Sequence, residues 1–293
     1  MPAWQGRSKG TTLGYRIFVS ILSRFGVAPG YLLLRFVALY YFLVSYKSSK
    51  PIYSYFRSKL GYSVPGALMK LYQNYYRFGQ SIIDKVVIMA GMSNKFTYEF
   101  DGEENLHKIA QQGKGGLLLS AHLGNWEIAG HLLKRLSAKI NIVMYDGEHQ
   151  QIKQYMEQVT GKRNMNIIVI KEDLSHIYAI SDAFKREEFV CMHADRFLEG
   201  NKTMKASLLG HPAKFPAGPF VLAATFRVPV SFVYAFKETN THFHLYASTE
   251  KIYSNPAKNE MMQEMLNDYV VEMEKKVKQY PEQWFNYYDF WKQ

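Results

Sequence analysis

The sequence predicts an α/β protein, with a central mostly parallel sheet flanked by helices and an N-terminal membrane-associated helical segment ahead of it. Two observations predict the class. From Phe96 onward, short β-rich runs alternate with helical patterns of about 10–15 residues, the signature of strand–helix–strand units. Hydrophobic residues make up 47% and charged residues 21%, a globular balance that excludes disorder. A third observation sets the N-terminus apart. Residues 1–83 carry eleven Lys/Arg and no Asp or Glu, Asp84 being the first acid, whereas residues 84–293 carry 25 of each sign. The net charge of +11 therefore belongs to the first segment.

That segment, 1–83, is read as one unit and 84–293 as the α/β domain. It holds eleven of the 22 tyrosines. A cleaved transit peptide is acid-poor but not loaded with Tyr and Phe. A nucleic-acid arm would not contain Ile17-Phe18-Val19, Leu32-Leu33-Leu34 and Phe42-Leu43-Val44. A membrane surface explains both features, because cations meet anionic headgroups and aromatic rings favour the interface. The most hydrophobic window, 31–46, is shorter than the roughly 20 apolar residues a spanning helix needs and contains Arg35. With Leu13–Phe25 before it and a break over Gly26–Gly30, it predicts a shallow interfacial hairpin. The apolar run is not followed by a small-residue cleavage pattern, so the catalytic part is expected to stay cytoplasmic.

Leu68–Met89 reads as a helix ended by Gly91. Strands are expected at Phe96–Phe100, Leu117–Ser120, Ile140–Tyr145, Ile167–Ile170, Phe189–His193, Val230–Phe236 and Phe243–Ala247. Helices are expected at Glu103–Gln112, Trp126–Leu136, Gln150–Thr160, Leu174–Arg186 and Pro219–Phe226. After Asn255-Pro256, the stripe Met262, Met265, Leu266, Tyr269, Val270, Met273 and Val277 has helical spacing and reads as core packing. The single cysteine, Cys191, lies in an apolar run and reads as a small buried hydrophobe; a disulfide framework and a thiolate metal cluster are excluded.

The segment Gly115-Gly116-Leu117-Leu118-Leu119-Ser120-Ala121-His122-Leu123-Gly124-Asn125-Trp126-Glu127 begins as a buried strand and turns into a helix near Asn125, a good N-cap residue. His122 is thereby placed at the carboxyl end of a strand, where open α/β sheets bind ligands. Within one helix, five residues would separate His122 from Glu127 by about 140°. The strand–loop–helix break is what lets Glu127 reach the imidazole. A His held by a carboxylate is a general base. Ser120 lacks the surroundings of a nucleophile elbow, so direct attack by a substrate hydroxyl fits better than an acyl-enzyme. A metal site from His122, Glu127 and His131 and a purely structural His are the competing readings.

A second segment, His193-Ala194-Asp195-Arg196-Phe197-Leu198-Glu199-Gly200-Asn201-Lys202-Thr203, also follows a strand. Its charges, namely Asp195, Arg196, Glu199 next to Gly200, and Lys202, suit an anionic headgroup or a phosphopantetheine phosphate; the alternative is a solvated loop. Pro216–Gly218 opens a helix whose N-terminus adds positive potential. Arg163, in Gly161-Lys162-Arg163-Asn164, is placed to face the same site.

Together these blocks resemble the lysophospholipid/glycerolipid acyltransferase superfamily, closest to the late (lauroyl/myristoyl) acyltransferases of lipid A biosynthesis. His122-Leu123-Gly124-Asn125-Trp126-Glu127 matches the family's H-x4-D/E block, and Arg163 falls where its substrate-binding Arg stands. Asp195 with Glu199-Gly200 resembles the third block, Val228-Pro229-Val230 the fourth, and Pro281-Glu282-Gln283-Trp284-Phe285 the C-terminal signature. The resemblance covers 13–293. Asp195-Arg196 departs from the usual Asp-Gln pair, and the Arg-rich N-terminus is shorter than usual; both departures bear on the acceptor rather than the reaction.

What the resemblance implies is transfer of a fatty acyl group to a hydroxyl of a membrane lipid, a lipid A precursor or a lysolipid. The donor would be a thioester of acyl carrier protein or coenzyme A. The implied setting is the cytoplasmic face of a bacterial inner membrane. His122 and Glu127 would be catalytic, and Asn125, Arg163, Asp195, Arg196, Glu199, Gly200 and Lys202 would bind substrate. No metal or other cofactor is expected. The oxyanion would be held by a backbone N–H near Leu123–Asn125 or by Arg163. Two other classes compete: a hydrolase, in which water replaces the acceptor, and a non-catalytic lipid-binding protein, which has no reason to hold a carboxylate on His122.

Overall fold

The computed structural model describes residues 20–89, 91–125, 128, 136, 138–145, 165–171, 173–198 and 200–292. A seven-stranded sheet forms the centre, in the order β1-β9-β8-β2-β5-β3-β4. Its strands are β1 (Thr97–Asp101), β2 (Gly116–Ser120), β3 (Ile140–Tyr145), β4 (Met165–Ile170), β5 (Phe189–His193), β8 (Val230–Lys237) and β9 (His242–Ala247). All neighbours are parallel except β8 and β9. Each strand overlaps a run legible in the sequence. β2 is buried along its whole length, as expected of an inner parallel strand covered on both faces.

The helices are α1 (Ala28–Val44), α2 (Tyr46–Ser54), α3 (Val64–Met89), α4 (Glu103–Gln111), α5 (Ser175–Lys185), α6 (Gly218–Phe226) and α7 (Lys258–Gln279). A π-helical turn, Tyr55–Lys59, extends α2, and residues 20–25 are helical. The helices expected at Trp126–Leu136 and Gln150–Thr160 lie largely or wholly outside the described residues. In α7 the buried stripe is the expected one, except that Met261 takes the inner position and Met262 lies half-buried.

One element escaped the sequence reading. β6 (Thr203–Leu208) and β7 (His211–Pro216) pair as an antiparallel hairpin. Pro212, Pro216 and Gly210 read as breakers. In the structure Leu209 and Gly210 both have positive φ, 53° and 75°, and close a two-residue turn of the kind a tight hairpin requires. Asn-Gly would have announced it; Leu-Gly does not. The strained Leu209 is held from outside, its N–H donating to the Glu274 carboxylate at 2.7 Å.

The N-terminal helices are fastened to the α/β body. Tyr31 and Leu34 of α1 are buried. Tyr31 Oη donates to Asp84 on α3, and Asp84 pairs with Lys237 of β8 at 2.9 Å; both charges are almost fully buried. The break comes at Gly26, whose φ is 73°, while Pro29 and Gly30 lie within α1. A second bend, of 90°, separates α1 from Tyr46–Lys59, and no single helix among the described residues is long and apolar enough to cross a membrane. α3 straddles the boundary drawn at residue 83.

Candidate active site

β2 and β5 are parallel neighbours in which Ser120 faces His193. His122 and Asp195 each lie two residues further along, so the strand register itself brings them together. The Ala194 N–H donates to the Ser120 carbonyl at 2.9 Å and carries the pairing past the strand ends. Asp195 then accepts twice from His122, from the backbone N–H at 3.0 Å and at Nδ1 at 2.8 Å. The carboxylate is 1% exposed and the imidazole 22%. With Nδ1–H donated to Asp195, Nε2 keeps its lone pair and is the basic nitrogen. A carboxylate thus holds His122. It is Asp195, expected among the substrate-binding residues, while Glu127, expected in this role, lies outside the described residues.

Burial alone would push the Asp195 carboxyl up. The charge and hydrogen bond of His122, together with Arg196, outweigh it and hold the group well below the usual carboxylate range. The His193 ring stacks on His122 with centroids 4.4 Å apart. Burial, and then the neighbouring His122, push His193 down to about 3, which favours its neutral form. Sequence reasoning missed His193 as a site residue, although the His-x-Asp spacing at the end of β5 was visible.

The C-terminal segment forms a wall of the site. The Phe285 N–H donates to the His122 carbonyl at 3.1 Å, and the Gly124 N–H to the Gln283 carbonyl at 2.8 Å. The Gln283 side chain bonds both the N–H and the carbonyl of Lys237, and Asn74 of α3 donates to the Trp284 carbonyl. Gly124 has φ of 77°, and an added Cβ would lie 2.1 Å from the Ala235 carbonyl oxygen. The Gly124→Ala protein is therefore expected to unfold several degrees below wild type in a thermal melt, since the left-handed backbone alone costs about 1–2 kcal/mol.

The other expected site residues divide. Asn125 is buried, its N–H donating to the Ala235 carbonyl at 2.7 Å. Arg196 lies half-buried, with Nη2 donating to the Phe285 carbonyl at 2.6 Å and its guanidinium over the Tyr288 ring. Gly200 and Lys202 are exposed on the loop that leads into β6. Glu127, Arg163 and Glu199 lie outside the described residues. The expectation of an oxyanion donor among the backbone N–H groups near Leu123–Asn125 fails for Gly124 and Asn125, both of which are already committed.

His122, His193 and Asp195 are spaced closely enough to surround a cation. Two ligands on one tetrahedral zinc ion, with bonds of about 2.0–2.1 Å, would sit roughly 3.3 Å apart. The 2.8 Å between Nδ1 and the Asp195 carboxylate is instead a hydrogen-bond distance. Cys191 is part of β5; burial pushes its thiol up to about 12, which removes it as a nucleophile.

A family model of bacterial lipid A biosynthesis acyltransferases matches residues 69–293. The chain belongs to that family. The protein is an acyltransferase, and the match spans every element that builds the His122–Asp195 site. No curated protein matches the chain. The match begins within α3, so α1 and α2 lie ahead of it.

Proposed function

We propose that this acyltransferase moves a fatty acyl group from a thioester of acyl carrier protein or coenzyme A to a hydroxyl of a membrane lipid, a lipid A precursor or a lysolipid. The observation that carries the reading is the buried Asp195 carboxylate on Nδ1 of His122, which leaves Nε2 as base at the carboxyl end of the central strands. Nε2 takes the proton of the acceptor hydroxyl as its oxygen attacks the thioester carbonyl. The carbonyl electron pair moves onto oxygen and then returns as the C–S bond breaks. The leaving thiolate takes the proton from the imidazolium. Products are the ester and a free thiol, and Asp195 stabilises the imidazolium throughout. Neither a metal nor another cofactor enters this reaction, and EDTA is expected to leave the rate unchanged; a chelator-sensitive rate would revive the metal reading.

Glu127 retains the catalytic role that the family block assigns to it. Comparing Glu127→Gln with Asp195→Asn apportions the work: equal losses of kcat mean that both carboxylates serve the imidazole, while a rise in KM alone moves Glu127 to substrate binding. Arg163, Glu199 and Lys202 remain substrate-binding candidates. The product is named by mass spectrometry of lipid extracts from a deletion strain, where the missing species identifies acceptor and acyl chain together.

The proposed setting is the cytoplasmic face of a bacterial inner membrane. Leu32, Leu33, Phe36, Leu43 and Val44 of α1 are all more than half exposed, while Lys47 and Lys50 follow on α2. Insertion of that apolar face is insensitive to salt, whereas cation attraction decays within a Debye length. The Phe36→Ser/Leu43→Ser protein is expected to be washed from anionic vesicles by salt that leaves wild type bound. Equal pelleting of both proteins across the salt series would place the anchor elsewhere. Tyr31 and Leu34 are core residues, so removing 1–46 would damage the body as well.

A further inference from the structure

The tetrahedral intermediate of acyl transfer places a negative charge on the former carbonyl oxygen, and a donor must meet it within hydrogen-bond distance. Around His122 the backbone offers few. The His122 N–H is given to Asp195, that of Gly124 to Gln283, that of Asn125 to Ala235 and that of Ala194 to Ser120. Two side chains rooted in the same loops carry unused donors, the Asn125 Nδ2 and the Arg196 Nε, both buried and meeting no acceptor. A buried donor left unmade costs about 1–3 kcal/mol, so its persistence in the loops carrying the dyad calls for a ligand oxygen.

We propose that Arg196 is the oxyanion donor of this enzyme, its guanidinium binding the thioester carbonyl oxygen and the charge that develops there. The inference rests on the acyl-transfer reading and deepens it. Arg196 directly follows Asp195, and its Nη2 is pinned to the Phe285 carbonyl, whose own N–H holds the His122 carbonyl. One wall therefore positions both the base and the cation. A guanidinium has five N–H donors, of which this contact uses one, so donors remain for a ligand. Its positive charge is felt at both Asp195 and His193. Arg196 is half-buried, whereas Asn125 is 6% exposed, so a substrate reaches the guanidinium more readily. A charge-assisted hydrogen bond is also roughly twice as strong as a neutral one. The interaction strengthens as the carbonyl becomes an oxyanion, and so acts on kcat rather than on binding.

The test uses the full-length enzyme with dodecanoyl-coenzyme A and dodecanoyl-acyl carrier protein, a detergent-dispersed lipid A precursor as acceptor, and thiol release as the readout. Arg196→Met is expected to lower kcat by about 10²- to 10³-fold with KM nearly unchanged. Arg196→Lys should recover part of the loss. Arg196→Gln keeps a donor for the Phe285 carbonyl but has no charge, so it should fold like wild type and behave like Arg196→Met. A rise in KM alone would make Arg196 an anchor for a substrate phosphate and overturn the proposal. So would an unchanged kcat in all three variants, or a kcat loss confined to Asn125→Ala. A wild-type enzyme that releases no thiol with either donor would remove the acyl-transfer reading itself, and this inference with it.

Discussion

Replacing His122 with Ala is expected to slow acyl transfer by about 10²- to 10⁴-fold, the ordinary cost of losing a general base. The fold should survive, because the imidazole lies at the end of β2, is 22% exposed and fills no core position. Asp195→Asn makes the sharper test. The amide is nearly isosteric, but it cannot stabilise the imidazolium, and it can turn its NH2 toward Nδ1 and favour the wrong tautomer. Its kcat should fall nearly as far as that of His122→Ala. The double variant should be no slower than the worse single one, because residues acting as a unit are not additive. Steady-state thiol release from the acyl thioester reads all three. An Asp195→Asn enzyme within twofold of wild type would mean that the contact at Nδ1 is structural only.

The second large effect concerns stability. Lys237 and Asp84 form an ion pair in which the side chains are 4% and 0% exposed, with Tyr31 as a further donor to Asp84. Burial pushes the Lys237 amine down to about 8 against the opposing pull of Asp84, and the ammonium also faces the rings of Phe96 and Phe243. Asp84→Asn leaves that cation buried without its counter-charge. Breaking one side of such a pair costs about 3–5 kcal/mol. At roughly 2–4 °C per kcal/mol for a domain of this size class, the melting temperature should fall by about 10 °C. The double replacement Asp84→Leu/Lys237→Met removes both charges and should recover much of the loss. If Asp84→Asn melts with wild type, the pair is not what holds α1 and α3 to the sheet.

Where local pattern and burial agree, the sequence was readable. The apolar runs of β2, β3, β5 and β8 are strands because an inner parallel strand is covered on both faces, and each overlaps its observed span. The spacing of Met265, Leu266, Tyr269, Val270, Met273 and Val277 named the buried face of α7 for the same reason. The β6–β7 hairpin was not readable. Its turn uses Leu209 at positive φ, a conformation that Leu rarely adopts and that a carboxylate 65 residues further along secures. The tyrosines of the first 83 residues misled in part. Tyr40, Tyr41 and Tyr46 are exposed, as an interface requires, but Tyr31, Tyr55 and Tyr75 are buried. Composition counts rings and does not say which way they face.

What the sequence by itself determined is the fold class, the strand-end position of His122, and the family, because all three follow from short contiguous patterns. What only the tertiary structure decided is which groups meet the imidazole. Asp195 and His193 lie more than seventy residues beyond His122 and reach it through the parallel register of β2 and β5. Phe285 and Arg196 reach each other only because the C-terminal segment folds back across the strand ends. Nothing in the linear sequence puts the Asp195 carboxylate, on the loop after the neighbouring strand, beside His122. The contact between Asp195 and His122 exists only once the sheet has set its register.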